Sequence, residues 1–280
     1  MPNISTTLYL SDKDYNERYL PRKKEILEKM RKYIRQELGI EKKNIWGNIM
    51  KIETDVLEEF LTIARMGEIE TCLLEFGKDG LFISAMALDN SHESRSFLKK
   101  ESFKEYEPIG NVGVDDLNKL IKVFKRLGNE LEFKVEGNML IANGVNKTLN
   151  FELIDEKFIE KTKDLPDMKH TTTFTIPGKN VAEFLKDAQM NKDVIIGFET
   201  VDGGVKVINT GKYKFTHNFN SEGTKGGEKI KFGAPLINAL GGICSGDLVF
   251  HAKTDYPLLI DYKNEKYDIT FLIAPRVQAN

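Results

Sequence analysis

The feature that most constrains the fold of this 280-residue chain is a pattern that occurs twice along it. Residues 51–86 and 173–208 each read as a short strand, a helix, a strand, a turn and a second strand. A shift of 124 positions superimposes six residues of the first copy on identical residues of the second without a gap. These pairs are Phe60 and Phe184, Leu61 and Leu185, Ala64 and Ala188, Met66 and Met190, Glu75 and Glu199, and Gly80 and Gly204. The chain is therefore predicted to be a tandem repeat of one domain.

Each copy continues in parallel after this pattern. In the first copy, a helix over residues 115–127, capped by Asp115, precedes three further strands. In the second copy, a shorter helix over residues 235–240 precedes strands from residue 247 onward. Each half is therefore expected to hold two helices and eight or nine strands, in an α+β sandwich of helices on sheets.

The repeat divides the chain into four parts. The first domain is expected over residues 49–157 and the second over residues 171–280. Residues 158–170 between them are charged and aperiodic and contain Leu165-Pro166, which is typical of an extended connector.

Residues 1–48 read as an addition to the repeat. They carry eleven Lys or Arg and seven Asp or Glu, a net charge of +4, whereas the whole chain has a net charge of −2. A helix is predicted from Pro21 to the residue before Gly39, with one apolar stripe and an otherwise basic surface. The pattern fits a helix that packs on the body of the protein, and it also fits an arm that binds a partner or touches DNA.

The composition excludes several classes of protein. The chain is 40% hydrophobic and 30% charged, as globular proteins are. No apolar run is long enough for a membrane span and no signal peptide is visible, so an intracellular protein is expected. Cys72 and Cys244 lie in apolar sequence without CxxC spacing, which predicts two buried or inert thiols.

No constellation of residues predicts catalysis. The histidines lack the spacing of metal ligands, and the chain has neither a phosphate-binding loop nor a nucleophile elbow. The carboxylate pairs Asp115-Asp116 and Glu58-Glu59 fit a helix cap and a solvated helix face. We therefore expect no enzyme activity, no metal and no cofactor.

The C-terminal stretch carries the most specific motif. Residues 258–262 and 268–273 are apolar runs around a charged turn, which predicts a hairpin, and Ala274-Pro275 then ends the pairing because proline has no N–H. With Asp255 and Pro257 at its start, this block resembles the C-terminus of sliding clamps of the proliferating cell nuclear antigen (PCNA) family. Three further blocks resemble the same family in the same order: residues 79–92, with Ala87-Leu88 inserted, residues 106–122, and Leu165-Pro166.

The resemblance implies a function. In this family three two-domain subunits close head to tail into a ring, with helices lining the hole and sheets outside. The chain is thus expected to be a homotrimeric DNA sliding clamp, a polymerase processivity factor that encircles duplex DNA. The implied partners are double-stranded DNA of any sequence, further copies of the chain, DNA polymerase, the clamp loader and other replication and repair proteins with a short hydrophobic-aromatic peptide. No membrane partner is expected.

The predicted helices place cations opposite their buried stripes. By the resemblance these cations face DNA, although a solvated helix shows the same pattern. They are Arg65, Lys119, Lys122, Lys125, Arg126, Lys179, Lys186 and Lys192. The helix over residues 54–66 also exposes Asp55, Glu58 and Glu59, and the helix over residues 235–240 is uncharged, so the hole is expected to be less positive than is usual.

Two further sites follow from the resemblance. Strand addition between subunits would pair two strand edges. Their residues are Thr148, Leu149, Phe151 and Leu153 in the first domain, and Tyr213, Phe215 and Phe219 in the second. A pocket for a partner peptide would be formed by Met86, Leu88, His92, Leu165, Pro166, Pro257, Leu272, Ile273, Ala274 and Pro275.

Alternatives stay open at this point. The chain could be a subunit of a heterotrimeric or damage-checkpoint clamp. It could also be a monomeric DNA-binding accessory protein that acts through the basic residues 1–48. The expected location is the cytoplasm or nucleoid for an archaeal or viral source, and the nucleus for a eukaryotic one.

Overall fold

The computed structural model describes residues 49–67, 69–87, 89–159, 162, 168–191 and 195–276. Residues 47–280 form one unit. The predicted helix within residues 1–48, most of the connector, and the site residues Leu88, Leu165, Pro166 and Lys192 lie outside the described residues.

The first repeat contains two α-helices and nine strands within its described residues. In chain order they are β1 (Met50–Glu53), α1 (Thr54–Ala64), β2 (Cys72–Phe76), β3 (Gly80–Met86), β4 (His92–Lys99), β5 (Phe103–Glu105), β6 (Gly110–Val114), α2 (Leu117–Phe124), β7 (Glu130–Glu136), β8 (Met139–Asn143) and β9 (Thr148–Glu152).

The second repeat follows the same order with one strand fewer, since β5 has no counterpart among its described residues. Its elements are β10 (Thr172–Pro177), α3 (Gly178–Gln189), β11 (Ile195–Val201), β12 (Gly204–Thr210), β13 (Phe215–Asn220), β14 (Lys229–Phe232), α4 (Ala234–Leu240), β15 (Asp247–Ala252), β16 (Leu258–Lys263) and β17 (Tyr267–Ile273). The predicted α+β fold of duplicated clamp domains is confirmed by this order and by the structural comparisons given below.

These strands form three sheets, and one sheet runs through both repeats. The eight-stranded sheet has the order β10-β15-β16-β17-β4-β3-β2-β6, with four strands from each repeat. The first repeat alone forms the sheet β5-β1-β7-β8-β9, and the second alone forms the sheet β13-β12-β11-β14. The repeats are therefore joined by antiparallel pairing of β17 with β4.

The β17–β4 junction is well buried on its inward face. Phe271 lies opposite Ser94, and both side chains are fully buried. The Ser94 hydroxyl donates a hydrogen bond to the Ala64 carbonyl at 2.6 Å, at the end of α1. Because serine is small and its hydroxyl can satisfy a helix carbonyl, α1 packs closely on β4 at this point.

The helices form a second layer on the sheets. Their buried side chains follow the predicted stripes, including Phe60 in α1, Leu120 in α2 and Phe184 in α3. Gly242, which follows α4, lies against Ile63 of α1, so helices of the two repeats meet there. No helix in the described part of the chain is long and apolar enough to span a membrane.

One detail of the sequence prediction was wrong, and another is now more specific. The cap of α2 is Asp116 and not Asp115, because the Asp116 carboxylate accepts a hydrogen bond of 2.7 Å from the Lys119 N–H. Cys72 is buried, and burial raises the pKa of its thiol to about 12, but Cys244 is exposed. Cys244 follows α4 and lies between the buried Ile243 and the exposed Ser245, so its thiol is free and in contact with solvent.

Candidate DNA-facing helices, subunit edges and partner pocket

The predicted DNA-facing cations of α2 and α3 are solvent-exposed. These are Lys119, Lys122, Lys125, Arg126, Lys179 and Lys186. They lie opposite the buried stripes because each helix packs one face on a sheet and leaves the other in solvent. Arg65, directly after α1, is half-buried and so offers less of its side chain to a ligand.

Acidic side chains offset part of this positive charge. Lys125 forms an ion pair with Glu58, which joins the end of α2 to α1. On α3, Glu183 is exposed, and the carboxylate of Asp187 lies 3.0 Å from His217 Nε2. Glu59 accepts a hydrogen bond of 2.9 Å from the Tyr267 hydroxyl. The pairing of Lys125 and the use of Glu59 to hold β17 were not visible in the sequence, because both partners come from other elements.

Two strand edges correspond to the predicted subunit contacts. β9 is the last strand of the five-stranded sheet, and β13 is the last strand of the four-stranded sheet. Inward residues alternate with exposed ones along each strand, and the inward ones include Leu149, Phe151, Phe215 and Phe219. Tyr213 precedes β13 and is 45% exposed. Neither edge is covered by another described strand, which leaves backbone groups available for pairing.

The described pocket residues come together at one end of three neighbouring strands. Met86 ends β3, His92 begins β4, and Ala274 follows β17. Ile273 pairs with His92, and the Ala274 N–H donates a hydrogen bond of 2.9 Å to the Ser91 carbonyl. The end of the sheet thus brings together residues that are far apart in the sequence.

Local hydrogen bonds hold the chain segments that carry the predicted pocket residues. The Ala87 N–H donates to the His92 carbonyl at 2.9 Å, and the Ser91 hydroxyl lies 2.8 Å from His92 Nδ1. His170 Nε2 lies 3.1 Å from the Pro257 carbonyl, and burial lowers the pKa of His170. The end of the connector is therefore attached beside Pro257.

The side chains of the set differ in what they offer to a ligand. Ile273 is fully buried in the core, so its side chain cannot line a surface pocket. Leu272, Ala274, Pro257 and Pro275 are exposed or half-exposed at the same end of the sheet. The C-terminal segment is held there because the Arg276 N–H donates a hydrogen bond of 2.8 Å to the Lys231 carbonyl on β14.

Two charged residues next to the predicted pocket residues form an ion pair. Arg95 Nε lies 2.9 Å from Glu93 Oε1 on the outward face of β4. Both residues are partly exposed, and both follow His92 on its strand.

Comparisons with known proteins agree with this architecture. No protein-family model matches the chain. The DNA polymerase sliding clamp of Methanococcus maripaludis is 26% identical over 225 residues, which cover 70% of this chain and 87% of the relative.

Solved structures match at lower sequence identity. The A. fulgidus PCNA bound to the C-terminal region of FEN-1 superimposes with a TM-score of 0.74 at 18% identity, covering 83% of this chain and 99% of the other. The PCNA of Entamoeba histolytica gives a TM-score of 0.70 at 16% identity, covering 82% and 98%. The PCNA2-PCNA3 complex of Sulfolobus tokodaii gives 0.70 at 17% identity, covering 82% and 100%.

The continuous sheet, the helix layer and the order of elements give the fold of two clamp repeats. The chain is similar to sliding clamps of the PCNA family, and the resemblance of its sequence motifs is confirmed. Clamps of this family are processivity factors, in agreement with the prediction that the chain is not an enzyme.

Proposed function

We propose that this chain forms a homotrimeric ring that encircles duplex DNA and tethers a DNA polymerase and other replication and repair enzymes. The observation that carries the ring is the relation between the β17–β4 junction and the two open edges. β17 is the last strand of the second repeat, as β9 is of the first, and β13 takes the place of β4. The pairing of β17 with β4 joins the repeats within one chain. The equivalent strands, β9 and β13, would form the same pairing between two chains.

This relation predicts closure of a ring. If β9 of one copy pairs with β13 of the next, the contact is heterologous, and such contacts form rings when the rotation closes. Strand addition also covers the backbone groups of both edges, which would otherwise favour aggregation. Every repeat in the ring would then have the same neighbours.

The helix layer supports the proposal of DNA binding. Exposed cations on α2 and α3 would attract phosphates without reading bases, and a contact without base readout lets the ring slide. The pairing of Lys125 with Glu58 and the uncharged α4 imply a weaker attraction than all the cations together would give.

The pocket at the end of β3, β4 and β17 supports the tether. A short peptide that inserts an apolar anchor there, with main-chain hydrogen bonds to the C-terminal segment, would hold an enzyme on the ring. The A. fulgidus PCNA structure holds the C-terminal region of FEN-1 in complex. Topological linkage to DNA would then keep the attached enzyme at a high effective concentration.

The domain boundaries that were predicted from the sequence are also part of this proposal. We assign residues 1–48 to an extension, 49–157 and 171–280 to the two clamp domains, and 158–170 to the connector. A protein that acts on DNA works inside the cell, in the cytoplasm or nucleoid for an archaeal or viral source and in the nucleus for a eukaryotic one.

The native mass tests the ring. Three chains of 31.9 kDa give about 96 kDa, and light scattering across a dilution series should show this species for the full chain.

Retention on DNA tests encirclement. After a clamp loader has placed the protein on circular DNA, the protein should stay bound during a wash. The same wash should remove it once the DNA has been linearised. A stable trimer that leaves circular and linear DNA equally fast would contradict encirclement.

The PCNA2-PCNA3 complex of Sulfolobus tokodaii favours one alternative, a subunit of a heteromeric clamp. A chain that stays monomeric at every concentration, yet assembles with a second clamp chain of its source, would establish it. A monomer that loses all DNA affinity when residues 1–48 are deleted would instead be the accessory protein.

A further inference from the structure

The internal junction also sets the register in which two copies would meet, and this step rests on the proposed ring. Strand pairing relates the two repeats residue by residue. Leu81 pairs with Leu98, and Val205, which lies 124 positions after Leu81, pairs with Phe219. Leu98 and Phe219 are therefore equivalent, and the same spacing makes Ser94 equivalent to Phe215.

The other edge follows from three successive ladders. Each ladder lies within one repeat, and each ladder of the first repeat has a counterpart ladder in the second. The equivalent pairs are Met50 and Phe174, Phe133 and Phe250, Ala142 and Ile260, and Leu149 and Phe271.

A hydrogen bond beyond the strands confirms this alignment independently. The Ile154 N–H donates to the Gly113 carbonyl at 3.0 Å, and the Arg276 N–H donates to the Lys231 carbonyl at 2.8 Å. The alignment makes these two bonds equivalent. The alignment of the paired strands thus extends to the segments that follow β9 and β17.

The register between copies follows when each residue of the internal junction is replaced by its equivalent in the other repeat. Within the chain, Phe271 lies opposite Ser94 and Ile273 opposite His92. Within both strands, the corresponding contact between copies pairs Leu149 of β9 with Phe215 of β13. Continued at the same spacing past the strand ends, and written with the β9 side first, the register adds Val145 with Phe219, Lys147 with His217, Phe151 with Tyr213, and Glu152 with Lys212.

Burial supports this register. It places Leu149, an inward residue of β9, opposite Phe215, an inward residue of β13, whereas a slip of one residue would place Leu149 opposite an outward residue. It also covers two exposed hydrophobic side chains, since Val145 is 81% exposed and Tyr213 is 45% exposed in the single chain. These exposures have a ready explanation if a second copy lies on both edges.

Charge supports the register as well. Glu152 would face Lys212 directly and Lys214 diagonally, and all three side chains are exposed. Lys147 would face His217, which lies 3.0 Å from the Asp187 carboxylate. At the internal junction, the counterparts of Glu152 and Lys212 are the uncharged Ala274 and Ser91.

We infer that the Glu152–Lys212 contact determines the partner of each edge, and that it selects a second copy of this chain in the register given above. Backbone pairing alone would accept any extended strand. A carboxylate that meets two ammonium groups stabilises the right partner and repels an edge with the same charge.

A charge exchange tests the inference on the full chain. Glu152→Lys and Lys212→Glu should each raise the concentration of half-assembly about tenfold, because three contacts per ring turn from attractive to repulsive. The double variant Glu152→Lys with Lys212→Glu should return to within about threefold of the unaltered chain. Sedimentation across a dilution series measures all three.

The controls separate the inference from the proposed ring. Lys78→Glu, in the exposed turn between β2 and β3, changes the charge equally and should leave assembly unchanged. Unaltered folding of each variant is checked by thermal unfolding in dilute solution. If the unaltered chain is trimeric but the single variants assemble normally, or the double variant is not restored, the register is wrong while the ring stands. If the unaltered chain is monomeric throughout, both the ring and this contact are wrong.

Discussion

The β17–β4 junction and the pair of open edges β9 and β13 are the same structural position, used in two ways. At the junction, the inward side chains Phe271 and Ile273 are fully buried within the single chain. At the open edges, the equivalent Leu149 is only partly buried, and β9 is paired with a described strand, β8, on one side only. In the proposed ring, one kind of strand contact would therefore hold the two repeats together within a chain and would join neighbouring chains at the other two edges.

The largest effect is expected where the junction is broken. Phe271→Ala should lower the free energy of unfolding by about 3–5 kcal/mol, because it removes a fully buried ring and leaves a cavity. The equivalent change Leu149→Ala should cost only about 1 kcal/mol in the single chain, since the side chain is partly exposed. Urea unfolding below the concentration of assembly compares the two variants.

The same pair of variants should differ in assembly. Leu149→Ala should lose the trimer in light scattering although the chain stays folded. The comparison fails if Leu149→Ala unfolds the chain as readily as Phe271→Ala, or if it leaves the native mass unchanged.

A second prediction concerns the helices, because the two repeats carry different numbers of exposed cations on them. Lys122→Glu with Lys186→Glu changes one exposed cation in each repeat. It should reduce retention on circular DNA about a hundredfold at moderate salt, because up to six phosphate contacts per ring are lost. Retention is measured after loading, as a function of salt concentration.

The control variant has the same change of net charge, but at residues that lie outside the helices. Lys78→Glu with Lys225→Glu alters two exposed turns and should retain DNA as the unaltered protein does. Equal losses in both double variants would mean that overall charge, and not the helix face, governs retention.

A third and smaller effect is expected at the pocket. Leu272 and Ala274 lie beside the junction, and the equivalent positions at the open edge are Asn150 and Glu152. Leu272→Asn with Ala274→Glu should therefore weaken binding of a hydrophobic-aromatic peptide about tenfold, because the apolar surface becomes polar. Calorimetry with the peptide of a partner enzyme measures the loss. The native mass should not change, and undiminished peptide affinity would place the peptide site elsewhere.

Much of the fold follows from local sequence signals. The apolar stripes of α1, α2 and α3 and the C-terminal hairpin were predicted because helical and strand periodicity are local properties. The limits of α2 were less accurate, since Asp115 and Asp116 are both able to cap a helix and the choice depends on backbone geometry. Cys244 shows the same limit, because burial depends on what packs over a residue.

The sequence predicted which residues belong to the candidate sites, but not which way their side chains point or which residues they contact. The resemblance included Ile273 in the pocket, but the alternation along β17 turns its side chain into the core. The cation Lys125 was predicted without its partner Glu58, because that ion pair joins two helices that are distant in the sequence. Contacts of this kind require the packed structure.

The tandem repeat, the types of element in each copy and the resemblance to PCNA-family clamps follow from the amino-acid sequence, because identical residues at a fixed offset and short motifs in order are properties of the chain alone. The pairing of β17 with β4, and the absence of another described strand beside β9 and β13, became known only from the packed structure. The register proposed for a second copy rests on both observations. Strand pairing between distant segments depends on backbone hydrogen bonds that any residue can make, so the sequence carries little trace of it.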